Sequence, residues 1–168
     1  MSMYTPVTGV LARISWPDTD LKTLGCSMTL TLQSETHGIV NITLPSSAYV
    51  LNGERLRTGD RITCFYDSSA PVPLIYPPQY QAVAAAHTPE GTTAVLDSFN
   101  EQLLDSGENL KLNLSRETNV SLPNGQPFAG YLAGKILMVL YRSVTLSIPA
   151  QTTPEQIIVF CQSPQNES

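Results

Sequence analysis

The sequence predicts an all-β protein of two tandem five-stranded barrels derived from an internal duplication. The first observation behind this is a segment written twice. Gly59–Tyr66 is a glycine-opened apolar run closed by tyrosine, and after a loop comes Ile75-Tyr76-Pro77-Pro78-Gln79. Gly134–Tyr141 and then Ser147-Ile148-Pro149-Ala150-Gln151 repeat that order. The second observation is constant spacing. Asn124-Gly125 lies 72 residues after Asn52-Gly53, Gln151 lies 72 after Gln79, and Tyr141 lies 75 after Tyr66. The third is alternation of polar and apolar residues, the mark of half-buried strands, with little sign of helices.

The first copy opens with a strand over Thr8–Ser15. Ser27–Gln33 alternates polar and apolar, Ser34–Gly38 supplies a turn, and Ile39–Leu44 returns as the partner strand. Asn52-Gly53, a tight-turn dipeptide, sits between Ala48–Leu51 and Arg55–Arg57 and predicts a short hairpin or turn. Arg61–Tyr66 and Tyr80–His87 complete five strands. In the second copy Thr93–Leu96 matches Thr8–Leu11. Gln102–Asp105, a Ser106-Gly107 turn and Asn109–Leu114 match the long hairpin. Asn100–Leu104 has some helical character, but a strand entering the Ser106-Gly107 turn reads better. Copy one alone carries the long insertion Trp16–Gly25.

Five strands in roughly 80 residues, with a central hairpin and a variable loop before the last strand, fit an OB-like barrel. An SH3-like barrel and a simple sandwich are the competing folds. The expected units are 1–86 and 88–161, divided where His87-Thr88-Pro89-Glu90-Gly91 breaks both strand patterns, with a frayed tail over 162–168.

Composition narrows the function. Charged residues make up 14% of the chain and the formal net charge is -5, so the basic footprint of a nucleic-acid binder is missing. The longest apolar run, Ile136–Leu140, is too short to span a bilayer as a helix. The N-terminus has no signal-peptide pattern, so a soluble, cytoplasmic protein without membrane association is expected. Cys26, Cys64 and Cys161 each lie in or beside an apolar strand pattern and read as small buried hydrophobes.

Catalytic signatures are sparse. His37 and His87 fall in a turn and at a domain edge, with no metal-ligand spacing around them. No nucleophile elbow or phosphate-binding glycine loop occurs. Asp97, Glu101, Asp105 and Glu108 flank a turn and read as its solvated surface; Asp60, Arg61, Arg55 and Arg57 read as another solvated face. No cofactor, metal or enzymatic activity is expected.

Thr118-Asn119-Val120, Asn124-Gly125, Leu56-Arg57-Thr58-Gly59-Asp60, Tyr66, Tyr141 and Pro77-Pro78-Gln79 carry a further pattern. With Ile148-Pro149-Ala150-Gln151, it resembles that of tandem small OB-like β-barrel domains in functionally uncharacterised bacterial proteins. The match covers about two fifths of each copy and departs from the pattern at Ala133-Gly134-Lys135 and at Ala150. This resemblance implies a fold and a bacterial source, and no activity.

Binding has the stronger support. In OB-folds the loops joining strands one–two and four–five grip the ligand. In copy one those loops hold Trp16, Tyr76 and Tyr80 around Pro77 and Pro78. The leading reading is a non-enzymatic binding or assembly module that recognises protein or self-associates. A carbohydrate or single-stranded nucleic-acid binder using these aromatics is the alternative, and an enzyme with dispersed carboxylates comes third. Packing of Tyr76 and Tyr80 on the prolines, as a plug at the barrel end, competes with the binding roles.

Overall fold

A computed structural model describes residues 2–164. The expected tail falls mostly on 165–168, outside the described residues. The chain is all-β: twelve strands and one 3-10 turn, with no α-helix among the described residues. It divides into an N-terminal unit, Thr5–Glu90, and a C-terminal unit, Gly91–Ser163; residues 2–4 group with the latter and Pro164 with the former.

In the N-terminal unit β1 (Tyr4–Ser15), β2 (Ser27–Ser34) and β3 (Gly38–Pro45) form an antiparallel meander. Their buried residues alternate: Leu30 and Leu32 on β2, then Val40, Ile42 and Leu44 on β3, all facing one core. β4 (Tyr49–Val50) leads into the 3-10 turn Leu51–Gly53, where Asn52 takes the left-handed conformation at φ 58°. The Asn-Gly turn is therefore present. Of the hairpin or turn expected there, the turn is what forms: residues 55–57 are not a strand, and β4 pairs in parallel with β6. β5 (Arg61–Asp67) lies between β1 and β6 (Gln79–His87), and β6 also pairs in parallel with β3. The sequence of neighbours β1-β2-β3-β6-β5 thus returns to β1.

The C-terminal unit has β7 (Thr93–Ser98), β10 (Ile136–Tyr141), β12 (Gln156–Phe160) and β9 (Asn119–Ser121) in one sheet. A second pairing joins β8 (Leu110–Leu112) in parallel to β11 (Ala150–Thr152). Registers in the two units correspond under the offsets read from the sequence. Ile62 faces His87 and Phe65 faces Ala84; 75 and 72 residues on, Leu137 faces Val159 and Leu140 faces Gln156. The parallel pairs agree as well: Tyr49 with Ala84 matches Asn119 with Gln156, and Asn41 with Gln79 matches Lys111 with Gln151.

The first strands correspond differently from the expected match of Thr8–Leu11 with Thr93–Leu96. Leu11 N–H donates to Asp60 O and Gly59 N–H donates to Leu11 O; Phe99 and Gly134 make the same pair of bonds, with Lys135 in place of Asp60. Leu11 therefore corresponds to Phe99, each 1% exposed, and Gly9 to Asp97. A Cβ at Gly9 would run into the Gln33 carbonyl and lie 2.8 Å from Ser34 Cα, so glycine lets β2 close on β1.

Asp97 replaces that backbone approach with side-chain bonds. It accepts from Ser106 N–H at 3.0 Å, Ser106 Oγ at 2.6 Å and Met3 N–H at 3.3 Å. The carboxylate is 3% exposed, so the expected solvated surface is corrected at this residue: buried charge requires such hydrogen-bond donors. The strand expected over Gln102–Asp105 is also reduced, to isolated bridges at Leu104 and Asp105. Asn100 Oδ1 accepts from the N–H groups of Gln102 and Leu104, and Leu103 adopts φ 58°, which makes the segment a turn.

Arg61 is likewise no solvated charge. Its guanidinium donates to both Glu35 carboxylate oxygens and to Thr88 O at 2.7 Å, tying the β2–β3 turn to the end of β6. The Glu35 bonds hold its pKa above the usual arginine value.

Two substitutions separate these devices. Gly9→Ala should destabilise the protein by roughly 1–3 kcal/mol through overpacking against β2. Asp97→Ala should cost roughly 1–3 kcal/mol by stranding the Ser106 donors. Denaturant unfolding at constant slope measures both, and a loss below about 0.5 kcal/mol at either site would refute its role.

Candidate functional site

β3 and β6 run side by side only over Asn41–Thr43 and Gln79–Gln81, and the loop between β5 and β6 passes that point. A groove of about 410 Å³ forms there. Thr43, Gln79, Tyr80 and Gln81 supply its strand side; Pro71, Val72 and Pro73 supply the loop side. Tyr66, at the end of β5, completes it with Ala70. No lining side chain is charged.

The Tyr66 and Tyr80 rings are stacked, with centroids 4.2 Å apart and planes 9° from parallel. Both pack against the core of the unit and both remain part-exposed. Burial, then the neighbouring Tyr66, raises the Tyr80 pKa above the ordinary tyrosine value.

Of the aromatics expected to form a site, only Tyr80 enters this groove. Trp16 is 53% exposed on the β1–β2 loop and Tyr76 is 81% exposed on the β5–β6 loop, and neither lines it. Tyr76 consequently plugs nothing. Pro77 and Pro78 are half-buried beside it, the Tyr76–Pro77 peptide being cis. Tyr66, which the sequence offered only as a repeat landmark, is the aromatic that Tyr80 meets. Its duplicated position at Tyr141 was the signal available, but stacking on a residue 14 positions away cannot be seen in sequence.

A second groove, of about 300 Å³, occupies the corresponding place in the C-terminal unit. Asn113, Val144, Gln151 and Thr152 stand there where Thr43, Val72, Gln79 and Tyr80 stand in the first. Its polar groups bond to one another. Asn113 Nδ2 donates to Gln151 Oε1 at 3.0 Å, and Thr152 Oγ1 donates to Ser143 O at 2.6 Å. Tyr141 does not line it and is half-buried; burial, then Asp105, raises its pKa.

The same two loops expose apolar side chains in register. Val72, Leu74 and Tyr76 are 38%, 103% and 81% exposed; 72 residues on, Val144, Leu146 and Ile148 are 44%, 103% and 99% exposed. The repeated Val-x-Leu-x-x-Pro-x-Gln was present in the sequence, beginning three residues before the repeated segments Ile75–Gln79 and Ser147–Gln151.

Two thiols also differ from expectation. Cys64 is buried, and burial pushes its pKa up to about 12, whereas Cys26 and Cys161 are exposed because each lies just outside its strand. Among the described residues no three His, Cys, Asp or Glu side chains come together as a metal-binding group. Among the same residues no helix is long and apolar enough to cross a membrane. Compared with protein-family models, with curated proteins and with solved structures, the chain matches none.

Exposure at these sites gives two expected results. Trp16→Ala and Tyr76→Ala should each change stability by less than about 0.5 kcal/mol, and a loss above roughly 2 kcal/mol in denaturant unfolding would place the ring in a core. In thiol titration at neutral pH, Cys26 and Cys161 should react in the native protein and Cys64 only after unfolding. Rapid native labelling of Cys64 would contradict its burial.

Proposed function

We propose that this chain is a non-enzymatic binding or assembly module made of two tandem OB-like barrels, and that it acts by contacting protein through its β5–β6 and β10–β11 loops. Support for the barrel reading comes from the pairing cycle of β1, β2, β3, β6 and β5, in which the third and last strands run parallel. Support for duplication comes from the corresponding registers of β5–β6 and β10–β12.

The observation that carries the function is the matched set of exposed apolar side chains on the two loops. A single exposed leucine needs no explanation. The same positions exposed in both copies are different, because folding of either unit gains little from Leu74, Tyr76, Leu146 and Ile148, each of them at least 81% exposed. Residues 68–78 of the β5–β6 loop and 143–149 of the β10–β11 loop contain no charge, and Arg142, which opens the second loop, lies 3.9 Å from Glu155, so covering the apolar stretches themselves desolvates no ion. Leu21 and Leu24, 88% and 51% exposed beside Trp16 in the β1–β2 loop, extend the apolar supply of the N-terminal unit.

Self-association is the form of contact to test first, since it needs only the chain itself. Light scattering after size exclusion, at two protein concentrations, should show a mass above that of one chain. The variants Leu74→Ser with Tyr76→Ser, and Leu146→Ser with Ile148→Ser, should lower that mass while retaining the wild-type far-UV spectrum. A wild-type monomer at both concentrations would remove self-association and leave the loops to a different protein partner.

A further inference from the structure

We propose that the groove of the N-terminal unit is a subsite for a neutral oligosaccharide, with the stacked Tyr66–Tyr80 pair as its platform and Thr43, Gln79 and Gln81 as its hydrogen-bonding groups. The inference is carried by Tyr66, Tyr80, Thr43, Gln79 and Gln81, none of them in the exposed triads, although Val72 of the first triad also lines the groove, so it is tested separately from the assembly reading.

The lining is chemically specific in what it omits. With no charged side chain in the groove and a net charge of -5 on the chain, a phosphate, sulfate or uronate ligand has nothing to pair with. What the groove offers is one aromatic surface held rigid by stacking and several uncharged polar groups at its edge. A pyranose ring presents the matching pair of features: a flat C–H face, and a rim of hydroxyls that each donate and accept. Side-chain amides and hydroxyls also do both, which suits such a rim. The Thr43, Gln79 and Gln81 side chains make no hydrogen bond to another group of the chain among the described residues, so all three are available to a ligand. Thr43 faces Gln81 directly in the parallel β3–β6 register, which places two of these groups together.

The C-terminal groove serves as an internal comparison. It has the same position, the same glutamine and the same valine, yet Thr152 replaces the aromatic ring and Asn113 occupies Gln151. Copy one thus differs from copy two in the two properties a sugar requires, an aromatic face and unoccupied amides. An extended proline-rich peptide is the nearest competitor for a tyrosine-lined groove. It presents mainly carbonyl acceptors and packs between parallel aromatic ridges. Here the two rings stack on each other, 4.2 Å apart, and do not stand apart as two ridges.

The test is calorimetric titration, with saturation-transfer NMR, of the full chain against neutral hexasaccharides of glucose, xylose and N-acetylglucosamine. Heparin and a polyproline decapeptide are the comparison ligands. At least one neutral hexasaccharide should bind, with transfer from the Tyr66 and Tyr80 ring protons. Tyr80→Thr, which installs the residue found in copy two, should weaken that binding about tenfold or more. Because Tyr80 also touches the core, the exposed pair Gln79→Ala with Gln81→Ala is measured alongside and should weaken binding while leaving the unfolding midpoint in place. Three results would overturn the proposal: no neutral hexasaccharide binds, binding is unchanged in both variants, or the polyproline peptide alone occupies the groove.

Discussion

Each unit depends on one antiparallel ladder whose central strand is buried on both faces. Ile62, Thr63, Cys64 and Phe65 on β5 are all within 2% of complete burial, and Leu137, Met138 and Val139 on β10 are fully buried. A strand covered on both sides must be apolar almost without interruption, as both runs are. Thr63 is the exception that proves compatible, since its hydroxyl bonds to those of Thr8 and Thr88 at 2.9 Å. Once this ladder is set, β1 or β7 takes its free edge and the short β4 or β9 adds in parallel to the last strand.

Around that shared frame the two units solve the neighbouring region differently. In the N-terminal unit Gly9 admits the β2 backbone, and eight paired residues build the long β2–β3 hairpin. In the C-terminal unit Asp97 holds a compact turn through Ser106, and only β8 of the hairpin survives as a strand. A missing side chain and a buried carboxylate are thus alternative ways to close the same side of a sheet. The second demands hydrogen-bond donors at fixed positions, whereas the first demands only space.

The loops show the same divergence where a ligand would be met. Residues 70–73 frame a groove walled by two tyrosines, while 143–145 frame one whose polar groups bond among themselves. The exposed apolar triads, by contrast, are alike in the two units. Loop-tip side chains that contact only water are free to vary as far as folding is concerned, so their agreement is information about what lies outside the fold.

Strand identity and the repeat were legible in the sequence because both are one-dimensional. Alternation with period two reports which face of a strand is buried, and a constant spacing reports a segment written twice. The sequence by itself therefore determined the all-β class, the strands of the long hairpin in the first copy, and the correspondence of Tyr66 with Tyr141 and Gln79 with Gln151. The candidate aromatics were legible as residue types but not as a set. Trp16, Tyr76 and Tyr80 look equivalent in a list of loop residues, yet only Tyr80 meets another ring. Tertiary structure alone decided that grouping, the burial of Asp97, the Arg61 clamp and the exposure of Cys26 and Cys161. Each depends on the distance between groups far apart in the chain, and hydrogen bonds and ring contacts act over a few ångströms of space whatever their separation in sequence.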